Sequence, residues 1–413
     1  MTKALQTRFF ALLLLGAVLA VTQDSFLKQS SGNPGLQSGG ERPDLKVKKS
    51  DVIIGFEWAG EAIAYPPPAP GDDLSVIGPL SPWFSRSSLQ IRGDTFPMTW
   101  ADDDEIYASA GDPNWGGKND GLDVEKFSGM PPHYTISRVN PMTDYTGSGG
   151  EGTKPTGLIC VKGVLYLAFQ NFLGLKPPAS GDKSQHGDDA VIVASRDHGK
   201  TWMPAIKSLK APMFPGNRFG GPAFINFGRN NAQARDEYLY AVSTDQWDNG
   251  SHLLLGRVLA DRVLEAGAWE WVAALNPARQ PRWSKKLDEA IPILSDGRRI
   301  SLPDMVYIAA IKRYVLLTWS LKKDFSPDDG SELVIYDAPE LWGPFTLVHH
   351  ESPWESVDMN PYCPRLPLKW LQTSAQGVTG WLQFSGSWRQ DSLHYRSHVR
   401  KFTIRVRKPQ KDG

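Results

Sequence analysis

Between residues 51 and 406 short apolar runs alternate with turn-forming clusters, and the alternation recurs. Phe96–Trp100 turns through Asp102-Asp103-Asp104 into Ile106–Ala110, and Gly157–Val161 turns at Lys162-Gly163 into Val164–Gln170. Ala223–Phe227 leads through a polar loop into Tyr238–Ser243, and Met305–Ala309 turns near Lys312 into Tyr314–Ser320. Leu366–Leu371 runs through Thr373–Gly377 into Trp381–Ser385. Runs of this length, rich in β-branched and aromatic residues and bounded by Gly and Asp, predict strand hairpins. Their starts at 96, 157, 223, 305 and 366 are 61, 66, 82 and 61 residues apart. A second set of strands follows: His133–Val139, Ala190–Ala194, Leu253–Val258, Glu332–Tyr336 with Phe345–Val348, and His398–Val406. The pattern predicts an all-β, five-bladed β-propeller with four-stranded antiparallel blades. Asp51–Trp58 is placed to complete the last blade and close the ring, removing exposed sheet edges. A β-sandwich with long insertions is the alternative.

The N-terminus reads differently. Lys3 and Arg8 precede an apolar run, Phe9–Val21, which is short for a membrane span. Val18-Leu19-Ala20 supplies small residues for cleavage, so residues 1–20 read as a signal peptide, with an uncleaved anchor as the alternative. Residues 21–50 are polar and aperiodic and read as a disordered linker, leaving 51–408 as a single propeller domain. The expected location is secreted or periplasmic, with no integral membrane association after cleavage.

Lys plus Arg and Asp plus Glu number 45 each, so no global field favours nucleic acid. The 39 Gly and 32 Pro suit a turn-rich fold, and the 15 Trp serve either blade packing or sugar stacking. Cys160 and Cys363 read as two buried free thiols. No metal-ligand spacing occurs, and neither a metal nor a cofactor is expected.

In a propeller the innermost strands start at one face, around the axis, where ligands bind. That polarity sorts the acidic residues. Asp102, Asp103 and Asp104 fall in a turn at the opposite face and read as a solvated charged turn. Asp94 precedes the first innermost strand, Asp112 ends the second strand of the same hairpin, and Glu151 precedes the second blade, with Lys154 beside it. Arg218, Asp245, Asp304 and Arg365 lie at corresponding positions of later blades. Glycoside hydrolysis needs one protonated carboxyl and one ionised carboxylate, which a nearby cation and burial keep apart in pKa. Asp94 is the first candidate for base or nucleophile, and Glu151 or Asp112 for acid. Each could equally cap a turn. Trp115, in the Gly-rich loop Asp112–Gly121, is a candidate sugar platform, and Lys154, Arg218, Asp245, Asp304 and Arg365 are candidate substrate-binding groups.

Ser195–Trp202 reads S-R-D-H-G-K-T-W, a full match to the Asp-box pattern S-x-D-x-G-x-T-W of sialidase-like propellers. The segments Thr99–Asp112, Gly220–Gly228, Ala234–Tyr240, Lys312–Tyr314 and Tyr336–Phe345 resemble, in order, a family of exported bacterial proteins that are mostly uncharacterised. The resemblance implies a sialidase-like five-bladed propeller, and some members are assigned as endo-D-arabinanases. It also implies roles for Asp94 and Asp112, and Lys154-Pro155-Thr156-Gly157 matches the family's Lys-x-Ser/Thr-Gly. The fourth blade begins S-L-P-D-M-V-Y, without the expected small residue near Asp304, which weakens the case for that residue. The F/Y-R-I-P motif of true sialidases is missing, which argues against neuraminidase activity. The leading expectation is an exported glycoside hydrolase acting on a polysaccharide, with arabinofuranose-containing polymers as the candidate class that the resemblance implies. The alternative is a non-catalytic glycan- or protein-binding propeller.

Overall fold

A computed structural model describes residues 45–65, 91–115, 121–143, 153–173, 187–205, 208–323, 328–374, 377–388 and 394–407. The segment read as a signal peptide, most of the segment read as a linker, and Glu151 lie outside them.

Five antiparallel sheets follow one another along the chain. Blade 1 pairs Met98–Trp100, Ile106–Ala108, Val124–Met130 and His133–Asn140, from inside outward. Blade 2 is Lys154–Val161, Val164–Gln170, Asp189–Ser195 and the short Phe214–Pro215. Blade 3 starts with Ala223–Phe224, Tyr238–Thr244, Gly250–Leu259 and Glu270–Leu275. Blade 4 is Asp304–Ile308, Arg313–Leu321, Ser331–Ala338 and Thr346–Glu351. Blade 5 runs Tyr362–Arg365, Gly377–Ser385, Ser397–Val406 and, last in space but first in sequence, Ile53–Ala64. That N-terminal strand lies antiparallel to Ser397–Val406, with Phe56 opposite Ile404 and Trp58 opposite Phe402. The chain is therefore a five-bladed propeller whose ring is closed by its own N-terminal strand.

Three details differ from the expectation. Blade 3 has more than four strands: Pro281–Ser284 extends it and Leu294–Ile300 pairs with Gly250–Leu259. The innermost strand of blade 5 is Tyr362–Arg365 rather than Leu366–Leu371. Pro364 and Pro367 break the apolar run, so Leu368–Trp370 forms a 3₁₀ turn and Gln372–Ser374 pairs at the rim. The start of the Gly-rich loop is itself a strand, Gly111–Trp115, paired with Ile91–Asp94 above blade 1.

Each blade junction holds one apolar core. Leu158 and Trp202 of blade 2 meet Tyr107 and Val124 of blade 1, and Trp269 and Trp271 of blade 3 meet Tyr166 and Ile192 of blade 2. Tyr314 meets Tyr240, Trp319 meets Tyr362, and Trp370 meets Phe127 and Tyr134. These tryptophans serve packing. Sheets twist relative to one another, so large planar rings are what fills the wedge between two blades. Cys160 and Cys363 are buried, unpaired thiols in two of these junctions, and burial raises both pKa values, that of Cys160 to about 12.

The segment Ser195–Trp202 forms a tight turn. Asp197 Oδ1 accepts from the Ser195 hydroxyl and the Thr201 amide, both at 2.8 Å, and Oδ2 accepts from the Thr201 hydroxyl. Gly199 takes φ +87°, and the Trp202 indole donates to its carbonyl at 3.0 Å.

Asn226 closes the axis. Its Oδ1 accepts from Thr99 at 2.8 Å, its Nδ2 lies within 3.3–3.4 Å of the carbonyls of Met98 and Leu158, and its own carbonyl accepts from the Tyr307 amide. One side chain and its backbone thus tie blades 1, 2, 3 and 4. Asn226→Ala is expected to cost about 1–3 kcal/mol, because it strands buried groups that water cannot reach. Urea denaturation of the two proteins measures it.

Candidate active site

The first blade approaches the axis through a strained turn. Asp94 ends the strand Ile91–Asp94, Thr95 and Phe96 take φ of +66° and +39°, and the Phe96 amide donates back to the Asp94 carbonyl at 2.8 Å. Non-glycine residues rarely adopt such angles, and they persist only where surroundings over-determine them. Here blade 5 does so. The Thr95 amide donates to Ser385 Oγ at 3.0 Å, and its carbonyl accepts from Arg365 Nε at 2.7 Å.

This turn delivers the Asp94 carboxyl to a buried position, 7% exposed. Oδ2 accepts from the Tyr362 hydroxyl at 3.0 Å, and Oδ1 has no hydrogen-bond partner. A Cβ on Gly111 would sit 2.4 Å from that Oδ1, so the glycine leaves the carboxyl its room. Asp112, next along, takes φ +46° and turns its carboxylate to the Lys154 ammonium, with which it forms an ion pair. The Tyr395 hydroxyl donates to Asp112 Oδ2 at 3.4 Å. Lys154 is buried, at the start of the innermost strand of blade 2.

Asp94, Asp112, Lys154, Tyr362 and Tyr395 therefore form one constellation from blades 1, 2 and 5. Burial pushes Asp94 above the usual carboxylate range, opposed by Lys154, the two tyrosine hydroxyls and Arg365. Burial pulls Lys154 down, opposed by Asp94. Two carboxyl groups in unlike environments, one buried with its pKa pushed up and one salt-bridged and partly exposed, are the arrangement that divides acid from base.

The remaining sequence candidates are mostly spent on structure. The Trp115 indole donates to the buried Asp123 at 2.9 Å, which fixes how its ring is turned. Arg218 donates to the Ala290 carbonyl at 2.7 Å. Asp245 Oδ1 caps the next hairpin, accepting from the amides of Ser251 and His252 at 2.8 and 3.0 Å. Asp304 is buried and accepts from the Leu366 amide at 2.7 Å, its pKa raised by burial against the charge of Arg365. Arg365, itself buried, links the carbonyls of Thr95 and Pro303, and its charge also reaches Asp94. Both are braces between blades 1, 4 and 5. Asp103 and Asp104 accept from Tyr107 and Trp100 of their own hairpin, and Asp102 pairs with His198 of the Ser195–Trp202 turn in blade 2.

Sequence reasoning did not reach Tyr362, Tyr395 or Trp388, whose ring meets Tyr362 edge-on at 5.1 Å. Trp388 is a half-buried aromatic that reaches Asp94 through the ring of Tyr362. These residues come from the last blade, and only ring closure brings them to the first.

A family model described as "Domain of unknown function (DUF4185)" matches residues 81–347, more than half of the chain. The chain belongs to the DUF4185 family. No curated protein matches the sequence. Among solved structures, the α-L-arabinofuranosidase PaAbf62A from Podospora anserina, in complex with cellotriose, is similar at 12% identity and a TM-score of 0.45, covering 85% of this chain and 98% of that one. The GH43_1 enzyme from Xanthomonas citri complexed with xylotriose is similar at 13% identity and a TM-score of 0.42, covering 78% and 92%.

A raised carboxyl pKa has a consequence for stability. Native Asp94 holds its proton more tightly than the unfolded chain does, so its contribution to stability is greatest at low pH and falls as pH rises above the ordinary value of 3.8. Asp94→Asn, which keeps an oxygen for Tyr362, is expected to flatten that decline. Urea unfolding midpoints from pH 4 to pH 7 for both proteins test it.

Proposed function

We propose that this protein is an exported glycoside hydrolase whose reacting groups are Asp94 and Asp112. The observation that carries the reading is the pair itself: two carboxyl groups from the paired strands Ile91–Asp94 and Gly111–Trp115 share Lys154 and Tyr395, one of them buried and the other ion-paired and partly exposed. The environments favour a division of labour that reverses the first expectation. Asp94, whose proton affinity burial raises, is suited to give its proton to the departing sugar oxygen. Asp112, ion-paired with the Lys154 ammonium, is suited to activate water or attack the anomeric carbon. Tyr362 orients Asp94 through its hydroxyl, and Trp388 behind it offers an aromatic face to a sugar ring.

Arabinofuranose-containing polysaccharides are the substrate class to test first, on the resemblance noted in the sequence and on the arabinofuranosidase likeness. The signal-like N-terminus supports a secreted or periplasmic location, where such polymers are met.

The experiment is reducing-sugar release from a panel of arabinans, arabinogalactans, arabinoxylans and cell-wall preparations. Asp94→Asn and Asp112→Asn are each expected to lower turnover by about 100- to 10,000-fold while leaving a folded protein. Wild-type turnover in either variant overturns the assignment of that residue. Saturable glycan binding without product release from wild type would instead support a binding propeller.

A further inference from the structure

We infer that Asp123 is a positioning residue for Asp112, an inference that rests on the hydrolytic reading above. The segment Ala110–Trp115 carries Asp112 in a left-handed conformation, at φ +46°, on a strand only five residues long. Nothing in the local sequence enforces that conformation; it has to be held from outside. Asp123 holds it at both ends. Its Oδ1 accepts from the Ala110 amide at 3.3 Å, on one side of Asp112, and its Oδ2 accepts from the Trp115 indole at 2.9 Å, on the other. The Asp123 backbone adds to the grip, its amide donating to the Ala110 carbonyl at 3.1 Å and its carbonyl accepting from the Ser109 hydroxyl at 2.5 Å. The Asp112 amide is fixed beside this on the Gly121 carbonyl at 2.8 Å.

Asp123 accepts from both of these donors while fully buried. Arg138 Nε, 3.2 Å from Asp123 Oδ2, provides the counter-charge. Glu125, on the same strand two residues on, is also fully buried, and neither of its carboxyl oxygens has a hydrogen-bond partner. Burial first, and the Asp123 charge next, push its pKa well up, against the Arg138 charge, which lowers it. Asparagine at position 123 can satisfy one of the clamped groups, but it brings an N–H where only acceptors serve and removes the charge that faces Arg138.

The test uses the full chain with Asp123→Asn and the milder Trp115→Phe, which keeps the ring and removes only the indole donor. Hydrogen exchange followed by mass spectrometry needs no substrate. Amides 110–115 are expected to exchange about tenfold faster in both variants, with the other blades unchanged. On whichever glycan of the panel wild type cleaves, kcat is expected to fall about 100-fold in Asp123→Asn and less in Trp115→Phe, with KM near the wild-type value, because a shifted Asp112 loses chemistry rather than binding. Unchanged exchange at 110–115 together with wild-type kcat overturns the inference. If Asp123→Asn does not fold, Trp115→Phe decides by the same two readouts. If wild type releases product from no glycan, the hydrolytic reading falls, and the exchange rates still decide the clamp.

Discussion

Ring closure is the constraint on which the rest of this molecule depends. The strand Ile53–Ala64 pairs with Ser397–Val406, so the last blade contains the first strand of the propeller. Without that pairing blade 5 has no fixed seat beside blade 1. With it, Tyr362 reaches Asp94 across 268 residues of sequence and Tyr395 reaches Asp112 across 283. The same closure supplies Ser385 and Arg365, which hold the strained turn at Thr95. The candidate site is therefore a product of long-range topology, and no local segment of the chain could form it alone.

The electrostatics follow from that convergence. An ammonium taken out of water costs several kcal/mol unless partners are at hand, and a buried carboxyl has the mirror-image problem. Lys154 and Asp94 moderate each other, and Asp112 supplies the direct ion pair. A fold that only needed stability could fill the same volume with apolar side chains. Keeping three ionisable groups there, with two tyrosine hydroxyls aimed at them, is what gives the constellation its chemical interest.

The blades were legible because strand period and turn chemistry are local signals. Val164–Gln170 is bounded in the structure as the sequence suggests, and Asp51–Trp58 was recognisable as a closing strand because it stood before the first repeat with no partner of its own. The fifth innermost strand was misplaced because Leu366–Leu371 looks more apolar than Y-C-P-R, although the prolines at 364 and 367 mark the break. Asp94, Asp112 and Lys154 were legible from their place ahead of or between strands. Arg218, Asp245, Asp304 and Arg365 share that placement, yet their side chains turn to backbone groups, and nothing in a position along the chain distinguishes a brace from a reagent. Tyr362, Tyr395 and Trp388 gave no local signal, since their meaning lies in which blade neighbours which.

The two thiols carry a practical corollary. Cys160 and Cys363 sit in separate blade junctions, away from solvent, and with proton affinities raised they offer almost no thiolate. Once the ring has closed, neither thiol is presented to solvent for oxidation or disulfide exchange.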